Sequence, residues 1–159
     1  MISNNDFKNI MSQWPTGVSV ISSFSSSDNT YHGLAASSFV SLSIDPQLIL
    51  FCVKATSSTY SAISEHGKFG VSFLNTNQQE IAQICASNIQ NKFEDIEYIL
   101  GGKCFSPLIK DAKCWLECSL HNSYEGGDHK IIIGEVLSAS INNSSAPLVY
   151  YSRNYTSLT

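Results

Sequence analysis

The sequence predicts a mainly β, α+β fold: a small β-barrel carrying peripheral helices. Three observations predict it. Short apolar or alternating runs recur along the chain, separated by turn residues. Only two or three segments carry helical periodicity. No strand–helix–strand repeat marks a doubly wound parallel sheet. The 159 residues read as one domain, 1–159, long enough for a proper core. No linker, repeat or low-complexity tract divides them.

The elements follow in order. Residues 6–13 form a short helix that Pro15 ends. Residues 17–23 read as a strand with Val18 and Val20 on one face, and 25–30 as a polar turn. Residues 32–41 read as a second strand, rich in small side chains. Asp45-Pro46 is a turn, and 48–53 is a continuous apolar strand. Residues 57–65 read as a helix, with serine and threonine at its cap and Gly67 at its exit. Another strand covers 69–74. Residues 78–86 form a helix whose apolar face is Ile81, Ala82, Ile84 and Cys85. Residues 88–105 are irregular or partly helical, broken by Gly101-Gly102. Residues 115–123 and 130–141 pair as antiparallel neighbours across a glycine loop. Residues 147–155 close the chain with three tyrosines.

Composition removes several function classes. The formal charge of −4 offers no basic footprint, so nucleic acid is not an expected partner. The apolar run 48–53 is strand-sized, so no membrane span is expected. Residues 1–8 are polar and lack a signal-peptide core, which predicts a cytoplasmic protein. Five cysteines, an odd number without regular spacing, predict reduced thiols. A metal site from Cys114, Cys118 and His121 fails on geometry. Strand positions four apart lie ~13 Å apart, beyond the span of one zinc ion.

Four segments are candidates for chemistry. Gly126-Gly127-Asp128-His129 leads into a β-branched strand. Glycine permits positive φ and close approach of a flat ligand, and the strand fixes where His129 points. Histidine is the side chain whose proton moves near neutral pH. In Gly33-Leu34-Ala35-Ala36-Ser37-Ser38-Phe39, small side chains expose backbone N–H and C=O groups to a planar ligand such as an isoalloxazine edge. Close packing under another element is the ordinary alternative. Lys54-Ala55-Thr56-Ser57-Ser58-Thr59 precedes a helix. The unpaired N–H groups there, with hydroxyls and a lysine, suit phosphate, whereas plain N-capping needs only one such residue. In Lys92-Phe93, the lysine is placed to reach a phosphate and the phenylalanine to cover a ring, or else the pair is a surface lysine beside a core aromatic. His32, His66 and His121 lack such context and are read as structural or exposed. No G-x-G-x-x-G follows a strand, and no Walker loop or G-x-S-x-G elbow occurs. Any nicotinamide use is therefore transient, with the pyridine ring stacked on a ligand already bound.

Taken in order, these pieces resemble the flavin reductase-like family of short-chain NAD(P)H:flavin oxidoreductases with an FMN-binding split barrel. The resemblance runs from Pro15-Thr16-Gly17-Val18 through Gly33–Phe39 into Val40-Ser41-Leu42-Ser43-Ile44-Asp45-Pro46. It continues through the serines at Ser57, Phe69-Gly70-Val71-Ser72-Phe73-Leu74 with Gln78-Gln79, and Trp115-Leu116-Glu117-Cys118. It ends on Gly127-Asp128-His129 and Pro147-Leu148-Val149-Tyr150-Tyr151.

The resemblance implies a homodimeric Greek-key split barrel binding FMN, or FAD, near the dimer interface. Ala35, Ala36, Ser37 and Ser38 would line the ring edge. Lys54, Ser57, Ser58 and Thr59 would hold the phosphate region, with Lys92 and Phe93. Gly127, Asp128, His129 and Tyr155 would meet the nicotinamide of NADH or NADPH, with His129 orienting it or moving a proton. Reduced flavin would pass to a separate oxygenase. Two departures stand out: Ala35 where relatives often have threonine, and the closing Tyr151-Ser152-Arg153-Asn154-Tyr155, with its added Arg153, where relatives often carry a glycine before the last tyrosine. An FMN-retaining electron carrier and a non-catalytic split-barrel binding module are the alternative readings.

Overall fold

The computed structural model describes residues 1–142 and 145–158. Helix α1 (Asn4–Met11) opens the chain, and the Ser3 hydroxyl caps it by accepting the Asp6 N–H at 3.1 Å. Strands β1 (Thr16–Gly17), β2 (Ser19–Ser25), β3 (Thr30–Ala36), β4 (Val40–Ile44) and β5 (Gln47–Lys54) follow. Then come α2 (Ser58–His66), β6 (Lys68–Phe73) and α3 (Gln79–Ala86). A 3-10 turn at Lys92–Glu94 leads to β7 (Tyr98–Leu100) and β8 (Pro107–Ile109). The long hairpin β9 (Cys114–Gly126) and β10 (His129–Ile141) precedes the closing hairpin β11 (Leu148–Tyr151) and β12 (Asn154–Ser157).

Seven strands form one antiparallel sheet in the order β3-β2-β6-β9-β10-β5-β4. The two edges, β3 and β4, are neighbours in sequence and only three residues separate them. Four Cα steps reach at most about 14 Å. A flat sheet would hold its edges about 29 Å apart, six strand spacings. The sheet therefore has to roll, and its two ends meet at this corner. Ser38 marks the meeting: its hydroxyl accepts the Cys52 N–H of β5 at 2.9 Å. Beyond that contact β3 has no strand partner on its outer side, and the barrel stays split there.

The inside of the roll is filled by Ile21, Phe51, Phe69, Val71, Cys118 and Ile132, with Ile63 of α2 closing one end. Phe51 and Phe69 meet edge to face at 5.5 Å. Gly134 makes room for them: a Cβ there would lie 2.3 Å from Phe69 Cζ. A second cluster covers the other face of β2 and β6. It joins Val18, Val20 and Leu74 to Ala82 and Cys85 of α3, and to Phe93 and Ile109. Packing on both faces explains why β2 and β6 are buried almost throughout. The serines buried there bond the β7–β8 hairpin. Ser72 Oγ accepts the Ile109 N–H at 2.9 Å, and Ser22 donates to the Pro107 carbonyl.

Three sequence expectations are corrected. The strand expected over 32–41 breaks after Ala36, because its pairing with β2 ends there and Ser37–Phe39 turns the corner into β4. Within 88–105 lies strand β7, whose partner β8 was also unforeseen. The intervening loop is held by the Glu117 carboxylate, which accepts the Cys104 N–H at 2.8 Å. Of the two glycines before His129, only Gly127 takes a positive φ, at the first position of a two-residue turn. That is a type II′ pattern. Cys118, one of the two cysteines of β9, lies in the barrel core.

Gly134→Ala should cost about 1–3 kcal/mol of stability through overpacking against Phe69. Gly102→Ala, where a Cβ meets nothing within 4 Å, should stay within about 0.5 kcal/mol of the parent. Urea unfolding of the two variants side by side checks both.

Candidate active site

The open edge of β3 is the floor of a cavity. The Lys92 ammonium donates to the Gly33 carbonyl at 3.0 Å, so that carbonyl points off the sheet, away from β2. In an antiparallel strand a residue's N–H and C=O leave on one side, and the side alternates along the chain. Tyr31 and Ala35 therefore present their backbone groups to the same open edge. A cavity of about 990 Å³ runs along it. Ala35, Lys54, Ser57, Ser58, Thr59, Lys92 and His129 all line this cavity.

One end is built for negative charge. Ser57 caps α2, and its hydroxyl accepts the Thr59 N–H at 3.2 Å. Lys54 of β5 sits directly across the ladder from His129 of β10. The Ala55 N–H donates to the Asp128 carbonyl at 3.1 Å, which ties the approach to α2 onto the Gly127-Asp128 turn. Helix terminus, lysine and histidine are thus brought together from three elements. His129 Nδ1 lies 2.7 Å from Asp128 Oδ1, and this bond holds the Asp128 carboxyl below the usual carboxylate range. Nε2 is left for another partner.

The remaining candidates are distributed differently. Ser37 and Ser38 line a second cavity of about 1030 Å³, with Trp14, Thr16, Tyr150 and Arg153. Thr16 Oγ1 is buried there without a hydrogen-bond partner. Ala36 and Phe93 face the core. The Phe93 ring lies under Gly33, where a Cβ would be 2.7 Å from Cζ, so it supports the floor instead of covering a ligand. Lys92 lines the cavity, but two of its donors are taken, by Gly33 and by the Cys85 carbonyl at 2.8 Å. Gly127 and Asp128 form the turn beside the cavity. Tyr155 packs against Tyr150, with ring centroids 5.2 Å apart, and reaches the second cavity only through it.

The sequence reading passed over Asp28, Thr30 and His32, which line the first cavity. His32, which in sequence reads as structural or exposed, is among them. Asp28 Oδ2 lies 2.8 Å from His32 Nε2, and Oδ1 accepts the Thr30 N–H at 3.2 Å. An Asx-type turn with histidine two residues beyond it, at a hairpin tip, was the available signal.

A strand edge of free backbone groups fits the polar edge of a planar ring. A capped helix N-terminus beside Lys54 and His129 fits a phosphate. Fold and cavity together define a split-barrel protein for a flavin nucleotide. The chain belongs to the flavin reductase like domain family, whose model matches residues 11–159. It is 32% identical over 149 residues to a flavin reductase of Pseudomonas putida, covering 94% of this chain and 86% of that one. It is 34% identical over 155 residues to the reductase subunit HsaB of a flavin-dependent monooxygenase of Rhodococcus jostii, covering 96% and 76%. Among solved structures, the Streptomyces globisporus NADH:FAD oxidoreductase SgcE6, in complex with NAD and FAD fragments, superposes with a TM-score of 0.92. That match has 29% identity and covers 100% of this chain and 96% of that one.

Hydrogen bonding to His32 lowers the Asp28 carboxyl to about 2. A lowered folded-state pKa means the interaction is complete above the ordinary carboxylate range, about 3.9. It is lost as pH falls toward the folded value. An NMR titration should show the Asp28 carboxyl ionised down to acid pH, and His32→Ala should bring its titration back toward the ordinary carboxylate range.

Proposed function

We propose that the protein is an NAD(P)H:flavin oxidoreductase that reduces FMN or FAD and hands the reduced flavin to a separate monooxygenase. One observation carries the reading: the open β3 edge, the α2 N-terminus, Lys54 and His129 share one cavity in a chain of this family. The flavin supplies the redox chemistry by accepting a hydride from the nicotinamide. The protein binds, orients and shields. Backbone groups at Ala35 take the ring edge, while Ala36 and Phe93 shape the wall from beneath. Ser37 and Ser38 extend the contact toward the second cavity. Lys54, Ser57, Ser58 and Thr59 hold the phosphate.

Gly127 and Asp128 fix His129 where the nicotinamide of NADH or NADPH enters. Asp128 orients the imidazole, which positions the donor or moves a proton. Tyr155 would meet the nicotinamide only from the side of the second cavity, which it backs through Tyr150.

Residues 1–159 act as one domain, paired in a homodimer. Val40, Leu42 and Ile44 on the edge strand β4, and Trp14 and Phe7 near α1, leave apolar surface exposed, which supports pairing. Among the described residues no helix is long and apolar enough to cross a membrane. The five cysteines are unpaired, in keeping with the reducing cytoplasm.

The test is absorbance-monitored NADH oxidation with and without added FMN. Oxidation should require FMN and saturate with it. Ser57→Ala should weaken flavin binding about tenfold, roughly 1.4 kcal/mol. His129→Ala should slow NADH oxidation while leaving flavin affinity within about a factor of three, roughly 0.6 kcal/mol. A protein that neither binds flavin nor oxidises NADH would overturn the reading.

A further inference from the structure

Lys92 is a half-buried cation with no carboxylate partner. Its two protein contacts are neutral carbonyls, Gly33 and Cys85, and it joins none of the ion pairs among the described residues. The nearby Cys85 thiol is pushed up to about 12 by burial, so it stays neutral and supplies no counter-charge. Burial also lowers the Lys92 ammonium itself. An ammonium has three donors; two are spent, and the side chain lines the cavity. A partly desolvated charge of this kind favours a ligand that brings negative charge to it.

Lys92 is carried and held by other elements than the phosphate end. Lys92 is bonded to β3, at a carbonyl two residues from Ala35, about 6.6 Å along the strand. The phosphate residues Lys54, Ser57 and Thr59 belong to β5, the N-cap of α2 and α2 itself. A ring whose polar edge lies along β3 therefore presents that edge to Lys92. Hydride transfer brings the ring two electrons and one proton. The nicotinamide becomes cationic, and the ring gains one negative charge, which its carbonyl-bearing edge shares.

We propose that Lys92 is an electrostatic stabiliser of the reduced, anionic flavin ring, distinguishing the product of the reaction from the neutral oxidised ring at the open edge of β3. This inference rests on the reading of the cavity as a flavin site. The expected consequence is a bound flavin biased toward reduction. The same lysine clamps β3 to the end of α3, so charge and strand position are set by one side chain.

The experiment is an anaerobic binding titration of oxidised and dithionite-reduced flavin, with FMN and riboflavin as separate probes. It uses the wild type, Lys92→Gln and Lys92→Arg. In Lys92→Gln the affinity for reduced flavin should fall about tenfold more than that for oxidised flavin. That fall lowers the two-electron potential of the bound flavin by about 30 mV. It should appear with riboflavin as with FMN, and Lys92→Arg should retain the wild-type ratio. Equal losses in both redox states would make Lys92 a structural clamp alone and overturn the proposal. A loss confined to FMN would assign it to phosphate and overturn it too.

A wild-type measurement covers the case in which Lys92→Gln does not fold. The ring proton of bound reduced flavin should be lost about one pH unit below that of free reduced flavin, the equivalent of a tenfold preference for the anion. Identical titration of bound and free reduced flavin would overturn the proposal while leaving the flavin site intact. A wild type that binds neither probe in either redox state would overturn the site assignment along with it.

Discussion

The structure depends on a sheet that rolls up without fully closing. Three residues join two strands that lie at opposite edges of the sheet order, so those edges must meet at one corner. Ser38 fastens that corner to Cys52. Away from it, β3 keeps an unpaired side. Exposed strand edges ordinarily invite aggregation and are blunted or covered. Here the edge is flanked by α2 and by the segment after α3, so it opens into a cavity instead of onto bulk solvent. The same constraint that shapes the barrel thus makes the backbone surface a planar ligand needs.

Charge is distributed along that edge in separate places. Lys54, His129 and the α2 terminus converge from three elements at one end. Asp28 and His32 pair at the hairpin tip, and Lys92 stands over the middle of β3. None of the three groups belongs to the same element as another, yet all line one cavity. The buried serines play a comparable part in the scaffold. Ser22 and Ser72 spend their hydroxyls on the β7–β8 hairpin, so a polar residue on a packed face costs little.

The strand and helix order was legible because local rules and tertiary packing agree there. Ser57 and Gly67 mark the ends of α2 by capping chemistry, and the β-branched run after His129 has only one reading. The helix cap at Ser57 and the strand entry at His129 were legible for the same reason. The break after Ala36 was not, since it is set by where β2 stops pairing and not by any residue in the segment. The β7–β8 hairpin was missed because its stabilising partners, Ser22, Ser72 and Glu117, lie far away in sequence. Lys92 stood out in the sequence but its acceptors did not: Gly33 and Cys85 are brought to it only by the folded chain. Asp28 and His32 were overlooked because nothing local shows that a hairpin tip will overhang a cavity.

The contact between Gly33 and Phe93 has a consequence for how such chains diverge. The tip of the aromatic ring occupies the space that any side chain at position 33 would need. Position 93 also sits next to the lysine whose ammonium holds the carbonyl of position 33. A methyl gained at 33 must displace the ring, and with it the segment that carries the charge. These three positions should therefore drift as a set. A lineage that enlarges residue 33 should also shrink residue 93 and relocate its cation, and its cavity would then select a different ligand.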